Sequence, residues 1–127
     1  MSIKIKIDLF GIGAINGDLL RYYAPLSTDA IINKLPIILR GRFSFGSKTY
    51  WTLPGVGIHK GHNPKSIKIV EKGDIIYNPK TDELIILLEN TEMPNKVNKI
   101  GKVSDNLEIL LKAKNGLNTK ISKTNNK

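Results

Sequence analysis

Ile3, Ile5, Ile7 and Leu9 alternate with Lys4, Lys6 and Asp8, and this period of two predicts a half-buried strand at the start of the chain. Gly11, Gly13 and Gly17 mark a turn region, followed by a strand through Leu19 to Ala24. Ser27-Thr28-Asp29 reads as a helix N-cap, with Ile31, Ile32 and Leu35 as the apolar face and Pro36 as the stop. The segments Ile37 to Phe45 and Lys48 to Leu53 flank Gly46-Ser47, which suits a two-residue type II′ hairpin turn. That register sets Phe43 opposite Tyr50, Arg42 opposite Trp51 and Arg40 opposite Leu53. Opposed residues share a face. One side therefore carries Leu39, Phe43, Phe45 and Tyr50 for a core. The other carries Arg40, Arg42, Ser44, Thr49 and Trp51 for water or a binding groove.

A glycine-rich loop from Pro54 to Pro64 holds both histidines, His59 and His62. Ile67 and Ile69 alternate with lysines, Gly73-Asp74 turns into Ile75-Ile76-Tyr77, and Asn78-Pro79-Lys80-Thr81-Asp82 turns into Leu84 to Leu88. Met93-Pro94-Asn95 breaks the chain before Val97 to Val103. Asp105 and Glu108 have the spacing of a capping box, Leu107, Leu110 and Leu111 form a buried stripe, and Gly116 ends that helix before a last strand, Leu117 to Ser122. The pattern gives about eight strands and two short helices without a βαβ rhythm, hence an all-β chain. So many strands in a small domain must remove their sheet edges, and closure into an antiparallel eight-stranded barrel does so. Residues 1–122 are expected to form this single domain, with 123–127 a disordered basic tail.

A length of 127 residues suits one core, and 40% hydrophobic with 24% charged residues is a globular balance. With no cysteine, disulfides, thiolate metal sites and cysteine nucleophiles are excluded. Apolar stretches such as Leu84 to Leu88 are far shorter than the roughly 20 residues of a membrane span. The alternating N-terminus does not resemble a signal peptide, so no membrane association and a cytoplasmic location are expected. The net charge of +9 is nearly all lysine and is spread along the chain, most densely in the acid-free end from Lys112 to Lys127. A solvated surface explains such dispersion better than a phosphate-tracking patch, which needs clustering on one face.

Gly11-x-Gly13-x-x-x-Gly17 is one residue too long for a dinucleotide fingerprint, and Ser47 interrupts the near P-loop from Gly41 to Thr49. His59 and His62 supply only two of the ligands a metal site needs, so neither metal nor cofactor is expected.

Two later stretches carry a family resemblance. The first runs from Asn63-Pro64-Lys65 through Gly73-Asp74-Ile75-Ile76-Tyr77-Asn78-Pro79 into Leu84 to Leu88 and Thr91-Glu92-Met93-Pro94. The second is Ile100-Gly101-Lys102-Val103 with the helix at Asn106-Leu107-Glu108 and a closing strand. Together they resemble the small cyclophilin-like proteins of archaea and bacteria, a family of unknown function. The resemblance implies the cyclophilin-like barrel. It also implies a groove on the outer wall of the strand pair 37–53, where Arg40 or Arg42 would take the place of the cyclophilin arginine. The family's Arg-x-x-x-x-Phe-x-x-Gln arrangement is absent, and so is a long connection between Asn90 and Ile100.

Candidate groove residues are accordingly Arg40 and Arg42 for charge, Trp51 for stacking and His59 on a mobile rim. Tyr77 and Glu89 join them by position near the same turns. The first expectation is a protein that binds an extended peptide or a small anionic ligand. The second is a weak peptidyl-prolyl isomerase, and the third a nucleic-acid accessory protein using dispersed lysines and the tail. Arg42 and Trp51 also read as a cross-strand cation–π pair covering the wall.

Overall fold

The first alternating segment forms β1 (Ser2–Leu9), which pairs antiparallel with β2 (Gly13–Leu20) so that Ile7 faces Ile15. Ile5, Ile7, Leu9, Ile15 and Leu19 all point into the core, as their spacing requires. This computed structural model describes residues 2–43 and 47–124.

Helix α1 (Pro25–Lys34) begins earlier than its sequence signal. Pro25 starts it, at a position where no backbone N–H is needed. Ser27 and Thr28 are therefore buried within the first turn rather than capping it. Their hydroxyls act as tethers. Thr28 Oγ1 donates to the Leu20 carbonyl at 2.9 Å, and Ser27 Oγ accepts from Asn98 Nδ2 at 3.0 Å. Likewise Asp105 accepts from Asn16 Nδ2 instead of capping the 3₁₀ helix Leu107–Lys112, which begins at a left-handed Asn106.

The remaining strands are β3 (Ile37–Arg40), β4 (Arg42–Phe43), β5 (Tyr50–Pro54), β6 (Ile67–Val70), β7 (Asp74–Asn78), β8 (Glu83–Leu87), β9 (Thr91–Asp105) and β10 (Asn118–Lys123). All pairings are antiparallel, in the order β3-β10-β1-β2-β9-β7-β8-β5-β4, with β6 added on β9. The expected closed eight-stranded barrel is corrected here. Ten strands are present among the described residues, and the hydrogen-bonded path is not closed: β3 and β4 stand at its two ends. Only Gly41 separates those ends along the chain. Its N–H donates to the Leu117 carbonyl at 3.0 Å, and its carbonyl accepts from Gly116 at 2.7 Å. The strand count differs partly because Gly41 divides the expected Ile37 to Phe45 segment into β3 and β4; separately, Met93-Pro94 does not break β9. That strand runs through 15 residues and pairs in turn with β6, β7 and β2 across register shifts.

Continuous apolar runs in β7 and β8 follow from burial on both faces. Ile75, Tyr77, Leu84 and Ile86 enter the main core with Trp51 and Leu53. Ile76, Ile85 and Leu87 face the other way, into a second cluster with Val70, Met93 and Val97 beneath β6 and the start of β9. Lys123 ends β10, so the ordered strand runs one residue past the expected domain limit, and residues 125–127 of the tail lie outside the described residues. No helix among the described residues is long and apolar enough to cross a membrane.

The β4–β5 register is Arg42 opposite Thr52 and Phe43 opposite Trp51, one residue away from the two-residue hairpin. A slip of one exchanges the faces of every side chain on the slipped strand. Trp51 is thus fully buried, edge-on to Phe43 at 4.8 Å between ring centroids, and its Nε1 donates to Thr119 Oγ1 at 3.2 Å. The proposed turn includes Gly46, which lies outside the described residues. Trp51 is the chain's single tryptophan, so its placement has a direct optical readout. Its emission should be blue-shifted and insensitive to iodide in the native state, becoming quenchable only in denaturant. Iodide quenching of the native protein would contradict this register.

Candidate functional site

On the outer side of β4, β5 and β8, a groove of about 500 Å³ opens between the sheet and the β7–β8 and β9 segments beside it. Tyr50, Ile85, Met93 and Pro94 give it an apolar floor, with Phe43 at one side. Tyr50 and Met93 belong to the second hydrophobic cluster, so the floor is anchored in packed structure. Arg42, Thr52, Lys80, Thr81 and Glu83 form a polar rim. The Arg42 guanidinium reaches Glu83 Oε2 at 3.2 Å, while Thr81 Oγ1 donates to Glu83 Oε1 at 2.8 Å. Arg42 is more than half exposed in this pair. Such a surface pair orients the guanidinium while adding about 1 kcal/mol or less, and leaves most of its five N–H donors for other acceptors.

Asn78 and Asn95 join the groove's far wall. Asn95 Nδ2 donates to Asn78 Oδ1 at 2.9 Å, and the same Asn78 oxygen accepts from the Lys80 N–H at 3.0 Å. Asn78 is nearly buried, so this amide pair fixes the β7–β8 turn against β9.

The structure brings few of the expected residues into the groove. Arg42 lines it. Arg40 does not: it lies opposite Asn118 on the β3–β10 side of Gly41. Trp51 is corrected from outer wall to core, and with it the Arg42–Trp51 cation–π pair, because the observed register turns the indole inward. The aromatic residue of the groove is its neighbour Tyr50, expected in the core and in fact half-buried at the groove floor. Glu89 is exposed after β8, where its N–H bonds the Thr49 carbonyl, away from the groove lining.

His59 and Tyr77 meet at a second place, around Asp82. The Tyr77 hydroxyl donates to Asp82 Oδ1 at 2.6 Å, and the backbone N–H groups of Gly57, Ile58 and His59 converge on the same carboxylate at 2.7, 3.2 and 2.9 Å. His59 Nε2 stands 3.7 Å from Asp82 Oδ2. Burial pulls the Asp82 carboxyl upward, but the bonds from Tyr77, His59 and Gly57 and the nearby imidazole outweigh it and hold the group below its ordinary value. Burial, together with the bond to Asp82 and its charge, pushes Tyr77 up to about 12.

The loop expected to be a mobile rim is therefore tied down. Lys60 N–H donates to the Tyr77 hydroxyl, Lys34 Nζ reaches the Val56 carbonyl at 2.8 Å, and Asn98 binds both Gly61 and Asn63. Tyr77 and Asp82 build the clamp; Tyr77 is wholly buried and does not line the groove. Among the described residues, no three His, Cys, Asp or Glu side chains gather where they could hold a metal.

Sequence reasoning missed Thr52, Asn78, Lys80, Met93 and Asn95. Asn78-Pro79 and Met93-Pro94-Asn95 read as chain breaks, and only their juxtaposition across β7 and β9 makes them a wall.

No protein family and no curated protein sequence matches the chain. Solved structures do. A hypothetical protein from Archaeoglobus fulgidus, determined in solution, is similar with a TM-score of 0.77 at 18% identity, over 97% of this chain and 95% of that one. McbB, solved in complex with tryptophan, is similar with a TM-score of 0.79 at 13% identity; the match takes in 97% of this chain but only 45% of McbB. A cyclophilin-type peptidyl-prolyl cis-trans isomerase of Cryptosporidium parvum is similar with a TM-score of 0.67 at 12% identity, over the full length of both chains. At these identities the likeness is one of fold, and the fold it gives this chain is cyclophilin-like.

Proposed function

We propose that this chain is a binding protein whose outer groove holds an extended peptide bearing a carboxylate. The observation that carries the reading is the groove itself: an apolar floor of Tyr50, Ile85 and Met93 beneath Arg42 and Lys80. An apolar trough with a few converging polar groups is the usual form of a ligand site. Tyr50 supplies a rigid aromatic contact at low entropic cost, and Arg42 a planar fork for a carboxylate or a peptide carbonyl. A free amino acid offers the same carboxylate with less apolar surface, so tryptophan, the ligand named for McbB, serves as the small-ligand comparison.

A second reading, slow prolyl isomerisation, draws on the groove position of Arg42 and on the fold shared with a cyclophilin-type isomerase. The barrier to be lowered is about 18–20 kcal/mol, set by amide resonance.

The test is affinity for a short N-succinylated peptide with an internal X-Pro bond. Tyr50→Ala should weaken binding about tenfold and Arg42→Ala about fivefold, while Arg40→Ala leaves it unchanged. Equal affinity in all three variants, or no binding at millimolar protein, would refute the groove. Exchange spectroscopy on the same peptide tests the second reading: cis–trans exchange unchanged by stoichiometric protein removes it.

A further inference from the structure

Outside the groove, three segments without a single Asp or Glu meet on one surface: residues 21–28, 59–70 and 93–104. Asn98 joins them. Its Oδ1 accepts from the Asn63 N–H at 3.0 Å, and its Nδ2 donates to the Gly61 carbonyl at 2.9 Å and to Ser27 Oγ at 3.0 Å. His62 adds a contact at 2.9 Å to the Lys96 carbonyl. A charge excess that looks dispersed along the sequence is thereby gathered in space.

Aromatic rings stand among these cations. Lys65 Nζ lies 3.6 Å from the centroid of the Tyr22 ring, which packs edge-to-face with Tyr23 at 4.9 Å, and Lys99 Nζ lies 5.0 Å from the Tyr23 centroid. Tyr22 remains 69% exposed. At so open a position a lysine–tyrosine contact adds little to folding. Of the nearby acids, Asp29 is engaged by Arg21 and the buried Asp74 by Lys99 and Lys102, while Glu92 lines a pocket beside Lys96. Among the described residues, Lys65 and Lys96 have no carboxylate within ion-pair distance.

We propose that this surface binds single-stranded nucleic acid, with Tyr22 as a stacking platform and Lys65 and Lys96 neutralising flanking phosphates. An exposed ring set among unpaired cations is what an unstacked base and its backbone require. An acidic peptide would use the charge but leave the aromatic face without a role. The proposal stands apart from the peptide groove and does not depend on it.

Fluorescence anisotropy with labelled oligo(dT) and oligo(U) of about 12 nucleotides, starting near about 50 mM salt, tests it. Affinity should fall with salt on a log–log slope of about −1.4 to −2.1, corresponding to two or three phosphates at about −0.7 each. Tyr22→Ala should weaken binding about tenfold, and Lys65→Glu at least as much, for either oligonucleotide. Lys4→Glu makes the same change in net charge elsewhere, beside Asp18, and should weaken binding less than about twofold. Equal losses in Lys65→Glu and Lys4→Glu would overturn the proposal, since net charge alone would then explain binding. So would absence of binding at low salt, or tighter binding of a polyglutamate peptide of matched charge. The succinylated peptide should leave the oligonucleotide bound; displacement would refute a separate surface.

Discussion

Gly41→Ala should destabilise the protein by about 4 kcal/mol or more, read as a large drop in the urea midpoint. A Cβ at position 41 would overlap the Trp51 indole, which packs directly against the backbone there. The indole cannot step aside, because it is fully buried against Phe43 and held by Thr119. Nor can the backbone retreat freely, since both Gly41 polar groups are bonded to residues 116 and 117 where β3 passes into β4. Replacing the indole with a smaller side chain should relieve the clash. Gly41→Ala combined with Trp51→Leu is therefore expected to cost clearly less than the two single changes added together. Gly61 is the control. A Cβ there meets nothing within 4 Å, and Gly61→Ala should shift stability by no more than about 0.5 kcal/mol.

Asp82→Ala should cost about 3 kcal/mol and release the loop from Gly57 to Asn63, seen as faster amide exchange at Gly57, Ile58 and His59. The substitution leaves those three N–H groups and the Tyr77 hydroxyl without their common acceptor. The pH dependence has a definite sign. The folded carboxyl sits below its ordinary value, so its contribution is complete above the unfolded value of about 3.9 and is lost as pH falls through the lower folded value. Tyr77 works in the opposite direction. Its pKa is raised to about 12, so its share is complete below the ordinary value of 10.0 and disappears as pH climbs toward 12. Between these limits neither the Asp82 carboxyl nor the Tyr77 hydroxyl changes charge, and the stability gap between the wild type and Asp82→Ala should persist. A gap that already closes near neutral pH would show that the clamp is not formed as described.

The parts of this fold that sequence reveals are those in which local pattern and burial coincide. Ile5, Ile7 and Leu9 alternate and are buried; Ile75-Ile76-Tyr77 and Leu84 to Leu88 are unbroken because both faces of β7 and β8 are covered. The β4–β5 register was not legible. Gly46-Ser47 looks like a two-residue turn, yet Phe43 pairs with Trp51, so residues 44–50 all lie between them. That single step moved Trp51 into the core and put Tyr50 in its place at the groove. Arg42 survived the slip because the change of face fell on β5. The Asp82 clamp was invisible for another reason. Its backbone donors lie 23 to 25 residues earlier in a glycine-rich loop, and no spacing rule brings them to a turn aspartate. The same holds for the Tyr22–Lys65 contact, between two segments that Asn98 also bridges.

Backbone amide shifts followed during titration with the succinylated X-Pro peptide would locate the ligand on the protein residue by residue. Binding in the groove should give saturable shifts at Tyr50, Thr52, Asn78, Met93 and Asn95, with the Trp51 indole N–H unmoved in the core. Saturable shifts confined to the Gly57–Asn63 loop or to the β3–β10 side around Arg40, with those groove residues silent, would contradict it.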